Sequence, residues 1–281
     1  MNREGDAIPG AALFPVPCVV GHRGAGKGVG SGGFVENTVG SFRHAVELGA
    51  SWVELDVRVN ATGTLVVSHD AFVQGRPLVE LDDPASVRLG LATFAEVDAA
   101  LPATIGIDVE LKVDRGVDGA REGARALERL VPWLRAHRDE RPWLATSFDL
   151  AAAGALARSG VAAGWLTAAG VPIERSLTEA YRAGLAVAAV HVSAVRAAAR
   201  EPDAREPVGG DPEGRARAGS VRASRGGDRG GPDGPGAPGG IELLVWDVSP
   251  ADVGSALRVG AAALCADDVA GVRAALDACA T

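Results

Sequence analysis

The chain has 281 residues, 47% of them apolar, and a formal net charge of −8. This size suits one large domain with a substantial core, and the acidic balance argues against a general nucleic-acid-binding protein, which needs a basic face. Cys18, Cys265 and Cys279 are widely spaced without a CxxC pair, so we expect core thiols in a reducing compartment. We find no signal peptide and no apolar run of about 18 residues, and therefore expect a cytoplasmic protein.

Short runs rich in Val, Ile and Leu predict nine strands, separated by helical segments rich in Ala, Leu and Arg. The predicted strands are Cys18–Gly21, Trp52–Val59, Leu65–Ser68, Gly106–Leu111, Trp143–Ser147, Gly164–Leu166, Leu185–Val192, Leu243–Val248 and Ala262–Ala266. The predicted helices are Thr38–Leu48, Phe94–Leu101, Asp118–Ala136, Leu150–Arg158, Ile173–Ala183, Pro250–Val259 and Val269–Ala278. Nearly all-apolar strands that alternate with helices indicate a parallel sheet covered by helices.

The strand count favours a closed barrel. A tight turn at Asn60–Gly63 joins the second and third strands into a hairpin, so one of the two lies outside the parallel set. Eight strands remain, which suits a (β/α)8 TIM barrel; a doubly wound open sheet is the alternative. Arg200–Gly240 consists largely of Gly, Pro, Arg and acidic residues, and we predict a disordered insertion within a single domain spanning 1–281.

The glycine-rich run GHRGAGKGVG at residues 21–30 contains two nucleotide-binding patterns. GHRGAGK spells most of a P-loop, and GVGSGG spells a dinucleotide fingerprint. A P-loop requires Ser or Thr after its lysine and a helix that follows, but here Gly28 follows Lys27 and we predict no helix start. The dinucleotide pattern lacks a strand directly before it. Both nucleotide interpretations are therefore disfavoured.

Charged residues at strand ends form a more informative pattern. They are His22 and Arg23, Glu54 and Asp56, His69 and Asp70, and Glu110 and Lys112. Charged groups within apolar strands are costly to bury unless they are paired or bind a metal. A barrel gathers strand-end residues at the C-terminal rim, where active sites form. Structural roles, such as an interior salt-bridge network, are the alternative for each residue taken alone.

The residue types point to metal-assisted phosphoester cleavage. Carboxylates of Glu54, Asp56 and Glu110 suit Mg²⁺ or Ca²⁺. A thiolate zinc site is disfavoured because no cysteine joins the set. The two histidines suit an acid–base pair, and the arginine and lysine suit phosphate binding. Together these groups can support hydrolysis of a phosphodiester.

Five motifs resemble the glycerophosphodiester phosphodiesterases. They are HRG at 22–24, ENT at 36–38, ELD at 54–56, HD at 69–70 and ELK at 110–112. Weaker similarities extend the resemblance from Cys18 to about Asp268. It implies a TIM barrel with a small hairpin insertion after the second strand, and divalent-cation-dependent hydrolysis of glycerophosphodiesters to sn-glycerol 3-phosphate and an alcohol.

The resemblance also implies roles for individual residues. Glu54, Asp56 and Glu110 would bind the metal, His22 and His69 would act as general acid and base, Arg23 and Lys112 would bind phosphate, Asn37 would support the site, and Trp246 would border the glycerol or alcohol pocket. The partner would be a small-molecule glycerophosphodiester, with no nucleic acid and no stable membrane insertion.

Two departures from the family pattern bear on substrate choice. The loop from Ala25 to Val35 is longer and richer in glycine than usual, and VWDVS places Asp247 and Ser249 where Thr and Asn are common. One alternative function is a phospholipase D-like or lysophospholipase D-like activity on phospholipids, which needs apolar rim loops; Phe34 and Phe72 are the rim candidates. The other alternative is a non-catalytic barrel that serves as a binding module.

Overall fold

The computed structural model describes residues 12–14, 17–200 and 240–280. The predicted insertion at about 200–240 lies, except for its end residues, outside the described residues. The strands of the described part are β1 (Cys18–Gly21), β2 (Trp52–Val59), β3 (Leu65–Val67), β4 (Phe72–Val73), β5 (Arg76–Pro77), β6 (Gly106–Leu111), β7 (Trp143–Ser147), β8 (Ala163–Leu166), β9 (Val187–His191), β10 (Glu242–Trp246) and β11 (Ala261–Ala266). The helices are α1 (Val39–Glu47), α2 (Asp83–Arg88), α3 (Phe94–Ala100), α4 (Val117–Ala136), α5 (Leu150–Arg158), α6 (Ile173–Arg182), α7 (Val192–Ala198), α8 (Val253–Arg258) and α9 (Val269–Cys279).

Eight of these strands form a closed parallel barrel. The order β1-β11-β10-β9-β8-β7-β6-β2 is closed by pairing of β1 with β2. Strand β3 pairs with β2 in the antiparallel direction, as the Asn60–Gly63 turn predicts. The predicted TIM barrel with a hairpin insertion after the second strand is confirmed, and the open-sheet alternative is wrong.

Alternation along the strands divides the core into two layers. Val19, Val245 and Leu264 pack in a large cluster that includes buried helix residues. Their strand neighbours Val20 and Leu244 belong to a smaller cluster of mostly strand residues. Because successive side chains of a strand point to opposite faces, the second set fills the barrel interior.

Helix caps fix where several chain segments leave the barrel. The Thr38 hydroxyl accepts a hydrogen bond from the Ser41 amide at the start of α1, and Asp149 caps α5 by accepting from Ala152. Asp268 accepts from the Gly271 amide and so caps α9. Each cap satisfies an amide that would otherwise lack a partner in the first helical turn.

Short elements account for the differences from the predicted boundaries. Helices α2 and α7 were not predicted, since six or seven residues give too little periodicity, and α7 begins at Val192, where a strand was predicted to end. The predicted helix Pro250–Val259 begins as a 3-10 turn, and another 3-10 turn lies in the glycine run at Gly28–Ser31, where no helix start was predicted.

The prediction of three core thiols is wrong for one cysteine. Cys18 and Cys265 are buried, but Cys279 is exposed, because it is the final residue of α9 and lies past the last buried turn of that helix. Among the described residues, none of the helices is both long enough and apolar enough to cross a bilayer.

Candidate active site

The inward faces of β2 and β6 carry stacked carboxylates. Parallel register pairs Trp52 with Gly106, Glu54 with Asp108, and Asp56 with Glu110, so residues two apart form successive interior layers. At the lowest layer, a Cβ atom on Gly106 would lie 2.2 Å from the Trp52 ring. The glycine therefore leaves room for this indole beneath the acidic layers.

The three predicted metal ligands lie together. Glu54, Asp56 and Glu110 are 5%, 0% and 8% exposed, and each offers a carboxylate oxygen within 4.8 Å of the other two. Oε1 of Glu54 is buried and accepts no hydrogen bond from the described residues. Buried carboxylates at this spacing repel one another unless a cation lies among them, and oxygen atoms are the ligands that Mg²⁺ and Ca²⁺ prefer. The donor set fits a hard divalent cation.

Electrostatics within the cluster show the same need for positive charge. Burial raises the pKa of Glu54 well above its usual value, and the neighbouring Asp56 and Glu110 carboxylates raise it further. Burial also raises the pKa of Glu110, although Lys112 opposes this change. For Asp56, the effect of burial is outweighed by Lys112 and Arg23, which lower the pKa of that carboxyl.

Two predicted phosphate ligands, Arg23 and Lys112, border the acidic cluster. The Lys112 ammonium lies 2.7 Å from Glu110 Oε1 and 3.1 Å from Asp56 Oδ1. The Arg23 guanidinium lies 3.2 Å from Asp56 Oδ2 and donates to Glu36 at 2.9 Å. Both cations are thus held at the edge of the cavity, which they line.

The predicted supporting residue, Asn37, contacts the acidic cluster through Asp56. Its amide nitrogen donates to Asp56 Oδ2 at 2.8 Å, and its own backbone amide donates to the Arg23 carbonyl at 2.9 Å. Asn37 and Arg23 both have positive φ angles, of 58° and 51°, which asparagine adopts more readily than most residues do. These contacts hold Asp56 in one orientation.

Each predicted acid–base histidine is held by an aspartate. His22 Nδ1 lies 2.7 Å from Asp267 Oδ1, and His69 Nδ1 lies 2.7 Å from Asp70 Oδ1. Because an ionised carboxylate can only accept a hydrogen bond, each Nδ1 carries a proton, and each Nε2 is left for proton transfer. The His22 Nε2 atom lies 4.0 Å from Glu54 Oε2.

The second histidine has a shifted proton affinity. Burial lowers the pKa of His69 below its usual value, and the nearby Lys112 ammonium lowers it further, against the opposing effect of Asp56. A histidine with a lowered pKa is largely neutral near pH 7.

The charged groups open into a cavity of about 190 Å³. Its polar lining comprises His22, Arg23, Glu54, His69, Asp108, Glu110 and Lys112, and its other lining residues are Phe148, Leu166, Leu244, Trp246 and Cys265. Seven of the nine predicted site residues line this cavity. The other two do not line it: Asp56 pairs with Arg23 and Lys112, and Asn37 donates a hydrogen bond to Asp56. Trp246 lies at the end of β10, in the apolar half.

Sequence reasoning missed several residues of this site. Asp108 lies two residues before Glu110 on the same strand face, a signal that was available. Burial raises its pKa to about 8, although the Thr146 hydroxyl donates to it. Asp267 directly follows β11, and Phe148 directly follows β7; both positions are at the C-terminal rim.

The glycine run serves close packing of the backbone. Gly26 has a φ of 70°, and a Cβ atom there would lie 2.2 Å from the Asp267 Cα atom. Gly24 has a φ of 92°, and its Cβ would lie 2.5 Å from the Ser41 hydroxyl. The loop therefore packs against the end of β11, where Asp267 reaches His22. Lys27 pairs with Glu36 at 3.4 Å.

The predicted rim aromatics are both exposed. Phe34 is 44% exposed and lies against the His44 ring, and Phe72, in the small β4–β5 hairpin, is 62% exposed. Phe148, which was not predicted as a rim residue, is 43% exposed and contacts Trp246 edge to face.

The fold and the site define a class of protein: a TIM barrel with a buried acidic cluster, two aspartate-held histidines and two cations at its C-terminal rim. Residues 22–99 match the glycerophosphoryl diester phosphodiesterase family. The resemblance to this family that the sequence motifs predict is confirmed.

The individual proteins that this chain resembles in sequence or in structure are also phosphodiesterases. The chain is 47% identical over 55 residues to a glycerophosphodiester phosphodiesterase of Caldanaerobacter subterraneus, a match that covers 20% of this chain and 21% of that relative. A glycerophosphodiester phosphodiesterase structure from Parabacteroides distasonis superposes with a TM-score of 0.65 at 18% identity, over 94% of this chain and 98% of that chain. An Oleispira antarctica phosphodiesterase, solved with the product sn-glycerol-3-phosphate, gives 0.61 at 21% identity, over 95% and 100%. At these identities, the structural likeness establishes the fold.

Proposed function

We propose that this protein is a divalent-cation-dependent glycerophosphodiester phosphodiesterase, which hydrolyses its substrate to sn-glycerol 3-phosphate and an alcohol. The observation that carries the proposal is the convergence, at one cavity, of a cluster of three buried carboxylates, two of which line it, and two imidazoles whose Nδ1 atoms are held by aspartates. The family match over residues 22–99 supports the same reaction.

Glu54, Asp56 and Glu110 would hold the cation, Mg²⁺ or Ca²⁺. When bound there, the cation supplies positive charge that stabilises the phosphate in the transition state. Among the described residues, no lysine or arginine side chain pairs with Glu54, and its Oε1 atom accepts no hydrogen bond. The pKa of its carboxyl is raised, so a bound cation would supply the positive charge that Glu54 lacks.

Arg23 and Lys112 would orient the phosphate group. Their cationic groups lie beside the acidic cluster and line the cavity, so a phosphate oxygen between them gains charge-assisted hydrogen bonds. Glu36, Asp56 and Glu110 hold these side chains in place before substrate binds, so little side-chain entropy is lost on binding.

The two histidines would move the protons. One removes a proton from the attacking hydroxyl, and the new P–O bond forms as the bond to the leaving alcohol breaks. The other gives its proton to the leaving alkoxide, so the summed reaction consumes one water and releases one alcohol and one phosphate monoester, sn-glycerol 3-phosphate. The contacts of Asp267 and Asp70 at Nδ1 leave Nε2 of each ring available for these transfers.

The proposal is tested with the His22→Ala and His69→Ala variants. Each is expected to lower kcat for glycerophosphocholine by roughly 10²–10⁴, the range for loss of general acid–base catalysis. Phosphorus-31 NMR follows the conversion of diester to sn-glycerol 3-phosphate. The matched control is His44→Ala on the outer helix α1, where the imidazole pairs with Glu47. Turnover by the wild type that is no faster than by both variants would refute the proposal.

A further inference from the structure

Trp246 is fixed on three sides at the mouth of the cavity. Its indole Nε1–H donates to the Thr167 carbonyl at 3.2 Å. The Phe148 ring meets it at a centroid distance of 5.6 Å and an angle of 89°, and the His191 imidazole meets it at 4.5 Å and 75°. Aromatic rings prefer edge-to-face contacts of this kind, which stabilise the arrangement beyond what burial of their area contributes.

The contacts of His191 fix its protonation. The backbone N–H of Ser193 donates to Nδ1 at 3.0 Å, so this nitrogen presents a lone pair and carries no proton. The proton of the neutral ring is therefore on Nε2, which donates to Asp247 Oδ2 at 3.1 Å. The same imidazole thus caps α7, packs on Trp246 and binds the carboxylate of the residue that follows Trp246.

Asp247 turns the chain directly after the tryptophan. Its φ of 63° is in the left-handed region, which aspartate tolerates better than most residues do. The carboxylate is 61% exposed, so its bond to His191 ties a surface-exposed turn back to the barrel. His191 therefore holds the end of β10 at two points, the Trp246 ring and the Asp247 carboxylate.

The two halves of the cavity differ in chemistry. His22, Arg23 and Lys112 line one half, where a phosphate gains from positive charge. Phe148 and Trp246, which lie at the ends of β7 and β10 and not on the β1, β2 and β6 side of the barrel, line the other half together with aliphatic side chains. The carbon-rich half suits a trimethylammonium alcohol, because aromatic rings attract such cations. A polyol would lose water there without gaining hydrogen-bond partners.

We propose that His191 and Asp247 act as a pair of positioning residues that fix Trp246, and that they thereby set the selectivity of the site for a trimethylammonium alcohol over a polyol. This inference rests on the proposed function, since it concerns the alcohol of the same diester. The pair contacts neither the acidic cluster nor the two catalytic histidines through any hydrogen bond of the described residues. Its loss is expected to change KM more than kcat.

The first test compares kcat and KM for glycerophosphocholine and glycerophosphoglycerol. Asp247→Ala is expected to reduce the preference for the choline diester roughly 3–10-fold, the effect of losing one hydrogen bond, with kcat within about twofold. Asp247→Asn keeps an oxygen that accepts from Nε2–H and is expected to restore most of the preference. Glu179→Ala, which removes a partly exposed carboxylate that pairs with Arg182 on α6, is the control and leaves the preference unchanged.

A double-mutant cycle separates the pair from two independent effects. His191→Phe keeps a ring against Trp246 but lacks the Nε2–H donor. If the two residues act through their mutual bond, the double variant has the preference of either single variant. Additive losses of preference, or an unchanged preference in Asp247→Ala, would overturn the inference.

A readout that does not depend on activity completes the test. The indole N–H of Trp246 gives one of five tryptophan side-chain NMR signals, since the chain has five tryptophans, and Trp246→Phe identifies it. Asp247→Ala is expected to shift or broaden this signal, whereas Glu179→Ala leaves it unchanged. An unmoved signal in Asp247→Ala refutes the positioning role. A wild type inactive on both diesters refutes the proposed function, and the NMR comparison still decides whether the pair positions Trp246.

Discussion

The hydrogen bond between Asp267 and His22 predicts how much kcat falls when Asp267 is replaced. Its carboxylate accepts the His22 Nδ1 proton at 2.7 Å, and the two side chains are 40% and 24% exposed. Asp267→Ala removes the acceptor, so the imidazole is free to rotate or to carry its proton on Nε2, where it no longer suits the reaction. A hydrogen bond to a charged group contributes about 1.5–3 kcal/mol, and solvent screening at this exposure favours the lower end.

The expected loss in kcat is therefore roughly 10–30-fold, since about 1.4 kcal/mol corresponds to a factor of ten. Asp267→Asn retains an oxygen that can accept from Nδ1–H, and we expect it to lose about threefold at most. The assay is steady-state release of sn-glycerol 3-phosphate from glycerophosphocholine at saturating substrate, so that kcat and KM are separated.

The neighbouring aspartate provides the matched control. Asp268 lies in the same strand-end loop, but its carboxylate caps α9 by accepting from the Gly271 amide at 2.9 Å. Asp268→Ala is expected to cost about 1 kcal/mol of stability and to lower Tm by about 2–4 °C, with kcat within about twofold. Equal kcat values for Asp267→Ala and Asp268→Ala would refute the orienting role of Asp267.

Three further predictions follow from the described residues. Glu54→Gln keeps the shape of the side chain but removes a carboxylate from the cluster, so stimulation of turnover by divalent cations is expected to disappear; stimulation equal to the wild type would contradict this. Burial holds the pKa of Asp108 near 8, above its value in the unfolded chain, so the folded state keeps a proton on this carboxyl at a pH where the unfolded chain has lost it. The contribution of Asp108 to the free energy of unfolding is therefore full below about pH 4 and is lost as the pH rises through 8. Asp108→Asn should therefore flatten the decline in urea stability between pH 5 and 9, and an unchanged slope would refute it. Burial raises the pKa of Cys18 to about 12 and that of Cys265 well above its usual value, while Cys279 is exposed. An aromatic disulfide reagent at pH 8 should therefore label Cys279 quickly and the two buried thiols slowly. Fast labelling of all three thiols would count against the buried positions of Cys18 and Cys265.

Local patterns in the sequence predicted most of the barrel and the acidic cluster. Residues two apart on an apolar strand share a face, so the sequence alone placed Glu54 with Asp56, and Glu110 with Lys112, on one face of each strand at the C-terminal rim of a barrel. Parallel pairing of β2 with β6 then brings the two sets together without further information.

Long-range register explains what could not be predicted. The bond between His22 and Asp267 joins residues 245 positions apart and depends on β1 pairing with β11, where Gly21 is level with Ala266. The His191–Asp247 contact similarly depends on β9 and β10 lying side by side. The short helix α7, which His191 caps, was hidden because its seven residues follow the strand directly.

The most direct test of the account measures sn-glycerol 3-phosphate release from glycerophosphocholine by chelator-treated protein, before and after addition of Mg²⁺ or Ca²⁺, together with calorimetric titration of the same ion into the wild type and Glu54→Gln. The account predicts that one ion binds per wild-type chain, that turnover rises in step with this binding, and that Glu54→Gln shows neither effect. Undiminished turnover in excess chelator, or equal ion binding by both proteins, would contradict a cation held by Glu54, Asp56 and Glu110.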